Sequence, residues 1–322
     1  MGKESATAER ILAVRDRREN PLVSILVNNY NYAAYVGRAI QSALEQTYKN
    51  TEIVVVDDGS TDSSRAVIEG FGGAVRAVYQ GNGGQASAFN AGFAESQGDI
   101  ICFLDSDDVF LPTKVARVVE AIGTFDTWCF HNIQWVDVNL GTIATPGIPF
   151  ETGSYDFREQ LVGGQCRFAP PATSGLCFRR ELLSRLMPVP DAIKITSDNY
   201  LKYSSLAIAT GHYLAEPLAL QRIHGNNAYT GRTDSMLRAN VQLATASGLR
   251  SKFPSLRPVC SRMFANGLAE KWNAGESLSA VSAAMREYLS GLPLTEQAEL
   301  LARTGYKAMR SFRKKAALGT SK

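Results

Sequence analysis

Three carboxylates, Asp105, Asp107 and Asp108 in "LDSDDVF", follow within four residues the apolar run Ile100 to Leu104. Like charges at this spacing repel one another, and burial penalises each ionised form, so a cation or hydrogen-bond donors must compensate. Carboxylates at a strand end are oxygen ligands suited to a hard divalent ion, Mg2+ or Mn2+, which in turn faces a diphosphate. A solvated turn is the bland alternative. A second cluster, "VVVDDGSTD" (54–62), has a structural reading in which Gly59 turns the chain and Ser60, Thr61 or Asp62 caps the next helix. Two acids in a row exceed what a cap requires, and Asp58 at the strand tip can accept hydrogen bonds from a base or ribose. The glycine-rich "NGGQASAFNAGF" (82–93) precedes a helix but has neither a GK[ST] ending nor the GxGxxG register, so no nucleotide motif is satisfied.

The elements that must position these residues alternate between strand and helix. "LVSILVN" (22–28) is a near-continuous apolar run, as expected of a parallel strand covered on both faces. A helix with Val36, Ile40, Ala43 and Leu44 on one side follows, then "EIVVVDD" (52–58), a short helix, "AVRAVYQ" (74–80), a helix over 85–97 and "DIICFLD" (99–105). Four strands with helical crossovers in about a hundred residues predict a Rossmann-like parallel half sheet. Ligands of such sheets bind beyond the carboxyl ends of the strands. "NNYN" (28–31), "DDGSTD" and "DSDD" are therefore expected to converge on one crevice. From about residue 125 the pattern turns mixed: "TWCFHNIQWVDV" (127–138) alternates like an antiparallel strand, "TSGLCFRRELLSRL" reads as strand into helix, and 197–211 reads as a helix ending at Gly211. Beyond Asp234 apolar periodicity predicts several helices. The expected divisions are an N-terminal helix over 1–20, a parallel half over 21–124, a mixed half over 125–232, and a helical C-terminal extension over 233–322.

A net charge of +3 and the lack of an aromatic-interleaved basic face argue against a nucleic-acid partner. Five scattered cysteines without a CxxC pair read as reduced, mostly buried thiols. No stretch has the length of a signal peptide core or a membrane span, so the expected location is cytoplasmic. The tail "YKAMRSFRKKAALGTSK" is basic and amphipathic; it can lie on an anionic membrane surface at the inner face, or be an ordinary solvated helix.

"VSILVNNYNYAAYVGRAIQSALEQTYKNTEIVVVDDGSTDSS" followed by "NGGQASAFNAGFAESQGDIICFLDSDDVFLP" resembles the N-terminal half of the family 2 glycosyltransferases, inverting nucleotide-sugar enzymes of the GT-A fold. The resemblance covers residues 22 to about 112, and weaker similarity runs to about 230. It implies an α/β fold with a mixed sheet flanked by helices, a nucleotide-sugar-binding half over 21–124, an acceptor-binding and catalytic half over 125–232, and Mn2+ or Mg2+ as cofactor. By resemblance, Asp58 is the nucleoside-binding aspartate and Asn28 and Tyr30 lie where the first loop touches the base. Asp105 and Asp107 form the DxD pair, the first facing the ribose and the second ligating the metal. "SDNYL" makes Asp198 the catalytic base, and "QRIHGNN" lets Arg222 and His224 reach the diphosphate or the metal. Phe89 stands where the family often carries an arginine, and Ser197 replaces the usual Glu before Asp198. Taken alone, Asp198 would be a charge favoured at a helix start, and His131 and His212 read as structural. "APPATSGLCFRREL" (169–182), with Gly175, is expected to form an acceptor-side wall.

The function implied is transfer of a sugar from a nucleoside-diphosphate sugar to a saccharide, lipid-linked or other hydroxyl acceptor, in bacterial surface polysaccharide or glycoconjugate synthesis. Two rivals compete. A haloacid-dehalogenase-like phosphatase also reads DxD followed by an apolar pair, but at the end of a first strand. A catalytically silent sugar-nucleotide-binding relative would be betrayed by lost carboxylates, and all are present.

Overall fold

The computed structural model describes residues 20–122, 126–276 and 283–319. The helix expected over 1–20 lies outside them apart from its last residue. Strands β1 (Val23–Asn29), β2 (Thr51–Asp57), β3 (Arg76–Tyr79) and β4 (Ile100–Asp105) lie in the order β3-β2-β1-β4, all parallel. Helices α1 (Ala33–Leu44), α2 (Ser64–Glu69) and α3 (Gln85–Glu95) follow the first three strands. Because β1 has a neighbour on each side and helices over both faces, its apolar run needs no alternation. Val23, Ile25 and Val27 are buried with Val36, Ala39, Ile40 and Ala43 of α1. From α3, Phe89 packs 4.7 Å from Phe103, ring to ring. Each such buried side chain contributes roughly 1.5–3 kcal/mol, which makes this half a rigid platform for the loops at its edge.

Two local devices shape those loops. Gly59 adopts φ +76°, and a Cβ there would stand 2.6 Å from the Asn82 nitrogen, so only glycine lets the loop after β2 pass the one after β3. Tyr32 supplies no cap to α1; the Asp62 carboxylate instead accepts the Ala33 N–H (3.0 Å) and the Ser64 N–H (2.9 Å). Burial works against ionisation of Asp62, but the hydrogen bonds from Ser64 and Ala33 outweigh it and hold the carboxyl below its ordinary range.

The sheet continues through β5 (Val109–Phe110), helix α4 (Lys114–Ala121), β6 (Trp128–Val136), β7 (Gly153–Tyr155), α5 (Arg158–Val162), β8 (Leu176–Arg179), α6 (Arg180–Leu186), α7 (Asp198–Ile208) and β9 (Gly211–Arg222). Beyond β4 the order is β8-β6-β9-β5, with β7 also on β9, giving nine strands among the described residues. The strand expected over 127–138 is antiparallel to β8 but parallel to β9. The helix expected to reach Gly211 ends at Ile208, and Gly211 opens β9 opposite Trp128, where a Cβ would collide with the indole. Cys102, Cys177 and Cys129 stand in register across β4, β8 and β6; all five cysteines are free thiols, and four are buried. Lys114 is fully buried, its ammonium 3.9 Å from the Phe110 ring centroid. Helices α8 (Ser235–Lys252), α9 (Arg257–Asn273), α10 (Ala283–Ser290) and α11 (Leu294–Gly319) form the helical C-terminal region.

The chain divides into two compact units whose limits do not follow the expected divisions. The first runs to Asp156 and adds Phe168–Asp191 and Ile208–His224, so it holds the whole sheet. The second comprises Phe157–Arg167, Ala192–Ala207 and the chain from Gly225 on. Within it α9 packs on α8 and α11, burying Phe264 and Leu268.

Candidate active site

The carboxyl ends of β2, β1 and β4 are adjacent: Asn29 pairs with Asp57 and Asn28 with Asp105. Side chains repeat that pairing. Asn29 Nδ2 donates to Asp57 Oδ1 (2.8 Å), and Asn28 Nδ2 donates to Asp105 Oδ1 (2.9 Å). The "NNYN" loop is tied to "DDGSTD" as well, since the Asn31 N–H donates to Ser60 Oγ (2.9 Å) and Asn31 Oδ1 accepts the Thr61 N–H (2.7 Å). Asp57 and Asp62 are thereby used in holding loops. Asp58 is buried; its Oδ1 accepts Gln80 Nε2 (2.6 Å) and the Gly83 N–H (2.9 Å), and its Oδ2 accepts the Gly84 N–H (2.7 Å). The next residue, Gln85, donates from Nε2 to Asp105 Oδ1 at 3.3 Å. The glycine loop thus links the two acidic clusters. Asn28 Oδ1 is buried with no hydrogen-bond partner, an acceptor that a ligand N–H or O–H could satisfy, and Tyr30 is exposed beside it in sequence.

The rest of the DSDD segment is held by distant residues. Asp107 Oδ2 lies 3.1 Å from His224 Nε2, and both side chains are largely buried. The His224 ring stacks on Tyr35 (centroids 4.9 Å, planes 25° apart) and meets the edge of Tyr32 at 5.6 Å. Arg222 donates from Nε to the Asp107 carbonyl (3.0 Å) and from Nη1 to the Val138 carbonyl (2.6 Å), with its guanidinium 4.9 Å over the Tyr35 ring. Asp108, the third carboxylate, accepts the Arg222 N–H (3.0 Å) and the Ser174 hydroxyl (2.6 Å); Ser174 Oγ also accepts the Asp105 N–H at 3.1 Å. Burial, then the charges of Asp107 and Asp105, push the Asp108 carboxyl well above its usual range. The charge in DSDD is therefore met residue by residue: Asp105 by amide donors, Asp107 by an imidazole, and Asp108 by a main-chain N–H and a hydroxyl, with burial and its acidic neighbours favouring its neutral form.

Several residues here carried no signal in the sequence. Tyr32, Tyr35, Gln85 and Ser174 become visible only once strands far apart in sequence pair. Ser174 belongs to the segment expected as an acceptor-side wall, where Gly175 packs so closely that a Cβ would meet Pro171 at 2.7 Å. Phe89 is buried in the core, so no cation replaces the family's arginine at that position. His212 pairs with Ser154 and Asp126, and His131 is buried.

Asp198 belongs to the second unit. It opens α7, is buried, and forms an ion pair of 2.5 Å with Lys202 one turn on. The i, i+4 spacing was the signal that could have identified Lys202 as its partner. Ser197, where the family carries Glu, donates instead to the Ile193 carbonyl at 2.7 Å.

Among the described residues no group of three or more His, Cys, Asp or Glu side chains is arranged to hold a metal ion. The donor set of Asp107 and His224 nevertheless fits Mg2+ or Mn2+. Such ions commonly take one or two protein ligands and complete their shell with substrate phosphates and water.

Residues 24–183 match the profile described as Glycosyl transferase family 2. A relative in Nostoc, named "Uncharacterized glycosyltransferase alr2836", is 40% identical over 211 residues, 64% of this chain and 66% of that protein. The Escherichia coli protein named UDP-Glc:alpha-D-GlcNAc-diphosphoundecaprenol beta-1,3-glucosyltransferase WfaP is 36% identical over 130 residues, 39% of this chain and 52% of that one. The chain thus spans between half and two-thirds of these curated relatives. Among solved structures, residues 1–349 of S. aureus TarS in complex with UDP superimpose with a TM-score of 0.60 at 15% identity, covering 91% of each chain. That likeness establishes the GT-A fold. The family match also removes the phosphatase rival, whose motif would close a first strand, whereas DSDD closes β4.

Proposed function

The chain belongs to glycosyl transferase family 2, and from that membership we propose that it is an inverting glycosyltransferase. It moves a sugar from a nucleoside-diphosphate sugar to an acceptor hydroxyl in bacterial surface polysaccharide or glycoconjugate synthesis. The observation that carries this reading is the continuous set of contacts from Asp58 through the glycine loop and Gln85 to Asp105 and Asn28, beside the Asp107–His224 pair. It supports a nucleoside bound at Asn28, Tyr30, Asp58 and Asp105. The E. coli relative's donor and the ligand in TarS make uridine diphosphate the first nucleotide to test.

Asp107 and His224 would hold Mn2+ or Mg2+, which when bound supplies positive charge against the leaving diphosphate. Arg222 fixes the Asp107 main chain and adds its own charge on that side, stabilising negative charge as it develops. Asp198 takes the proton from the acceptor hydroxyl as its oxygen attacks the anomeric carbon, and the Lys202 ammonium keeps the carboxylate oriented. One displacement inverts the anomeric centre. The acceptor we favour is a lipid-linked saccharide, as the E. coli relative's name suggests, met at the cytoplasmic face of the membrane.

The test is a thermal-shift screen of UDP-, GDP- and dTDP-sugars with and without Mn2+, followed by transfer assays on the hit. Asp198→Asn is expected to keep the donor-induced shift and lose about 10²–10⁴ in transfer rate. Equal rates in this variant and the parent would remove the base assignment. Donor binding without turnover on any acceptor would favour the silent relative.

A further inference from the structure

Residues Asp105 to Asp108 make one tight turn at the end of β4. The Asp108 N–H donates to the Asp105 carbonyl at 3.0 Å, and the Ser106 N–H donates to the Asn28 carbonyl at 3.2 Å. A turn closed by a single main-chain bond can still twist at its ends. Here both ends meet the same atom. Ser174 Oγ accepts the Asp105 N–H (3.1 Å) and donates to Asp108 Oδ2 (2.6 Å). The other Asp108 oxygen accepts the Arg222 N–H at 3.0 Å, which ties the turn to β9 as well. A hydroxyl suits this place because one oxygen accepts and donates at once.

Ser174 is itself held firmly. It is fully buried in the short turn Thr173–Gly175 that leads into β8, and Cys177 of β8 stands opposite Cys102 of β4. A Cβ at Gly175 would lie 2.7 Å from Pro171 and 2.9 Å from the His131 carbonyl, so the turn has no room to shift. The serine thus transmits a fixed position in the sheet to the first and fourth residues of the DSDD turn, leaving Ser106 and Asp107 at its tip. We propose that Ser174, anchored by Asp108, is a positioning residue of the donor site: it presets the DSDD turn so that Asp105 and Asp107 engage a nucleoside diphosphate and its divalent ion together. Ser174 acts on these two carboxylates through the main chain and through Asp108. The proposal rests on the transferase reading for the ligand, but the preset turn follows from the bonds alone.

S174A removes the hydroxyl and little else. Hydrogen exchange of the Asp105 amide, followed by NMR, is expected to speed up at least about fivefold in this variant, while amides within β1 and β2 keep the parent's rates. Calorimetric titration with UDP, in Mn2+ and in chelator, gives the second readout. The gain in UDP affinity due to Mn2+ is expected to shrink by about 10–100-fold, the usual penalty for removing an outer-shell partner of a metal ligand. A serine that merely fills space would lower the unfolding midpoint and leave that gain at the parent's value. An Asp105 amide that exchanges at the parent's rate overturns the proposal, and so does a Mn2+ gain that S174A leaves intact. A parent that binds no UDP counts against the transferase reading instead. In that case, or if Mn2+ gives the parent no gain, the exchange rates alone decide the role of Ser174.

Discussion

Around Asp58, the donors that fix the carboxylate come from residues 22 to 26 positions along the chain. Around Asp107 and Asp108, the partners lie 66 to 117 positions away. The first arrangement needs only β1, β2, β3 and the turn into α3, elements of the parallel platform. The second requires β8 and β9 to have joined the sheet on either side of β6, so the entropy of closing long loops is spent before any of its contacts form. The Asp58 side is consequently stiffened by main-chain donors and an apolar floor. The Asp107 side is a junction of buried polar groups, where one lost partner leaves another unsatisfied.

The largest expected effect comes from cutting that junction at its metal-facing member. Asp107→Ala is expected to reduce donor affinity in Mn2+ to the value in chelator and to cost about 10²–10³ in turnover, measured by calorimetric titration and transfer assay. Stability should fall as well, by about 1–3 kcal/mol, because His224 loses its carboxylate partner, although the Arg222 bond to the Asp107 carbonyl is kept. Asp58→Ala should act more strongly on the fold, besides losing a nucleoside-binding carboxylate. It removes the acceptor of the Gly83 and Gly84 N–H groups while the Gln80 amide keeps Ser87 Oγ; at about 1–3 kcal/mol for each N–H, urea unfolding should report a loss of about 2–6 kcal/mol. A loss below about 1 kcal/mol would mean that the glycine loop does not depend on this carboxylate.

The pH response sharpens the contrast. His131, fully buried on β6 of the mixed half, is held down to about 3 from 6.5 by burial and then by the charge of Lys114. The unfolded chain therefore binds this proton first, and the stability contributed by a neutral His131 is present above about 6.5 and lost as pH falls towards 3. His131→Gln is expected to shrink the stability difference between pH 7 and pH 5 by about 2 kcal/mol, read from denaturation midpoints at the two pH values. The smallest effect should follow Tyr35→Leu, which removes the ring stacked on His224 and facing Arg222. A loss of about 1 kcal/mol, roughly fivefold in donor affinity, is expected; an unchanged affinity would show that the junction holds His224 without its aromatic neighbour.

The same division governs what could be read from the chain. "LVSILVN", "EIVVVDD" and "DIICFLD" announce covered parallel strands because each is apolar on both faces, and the crossover helices carry their own periodicity. β9 was missed since "GHYLAEPLALQR" contains Pro217, a residue that argues against a strand interior. It is accommodated opposite Asn132, where the pairing with β6 is irregular. β5 has two residues, too few for any period. Asp58, Asp105 and Asp107 were visible as strand-end acids; Arg222 and His224 came only from the resemblance, since nothing local marks them. Ser174 and Tyr35 act through neighbours that the chain reaches only after folding.

The irregular pairing at Pro217 also determines where the end of β9 falls. Between His131 and Ile133 the chain of β6 advances two residues while β9 advances five, from Leu214 to Ala219. A sliding strand would have to carry a proline, which lacks an N–H, into a paired position. The irregularity therefore works as a detent. It locks the strand at one setting and delivers Arg222, five residues past the proline, to the DSDD loop, so the aim of the guanidinium is set by a feature remote from any ligand.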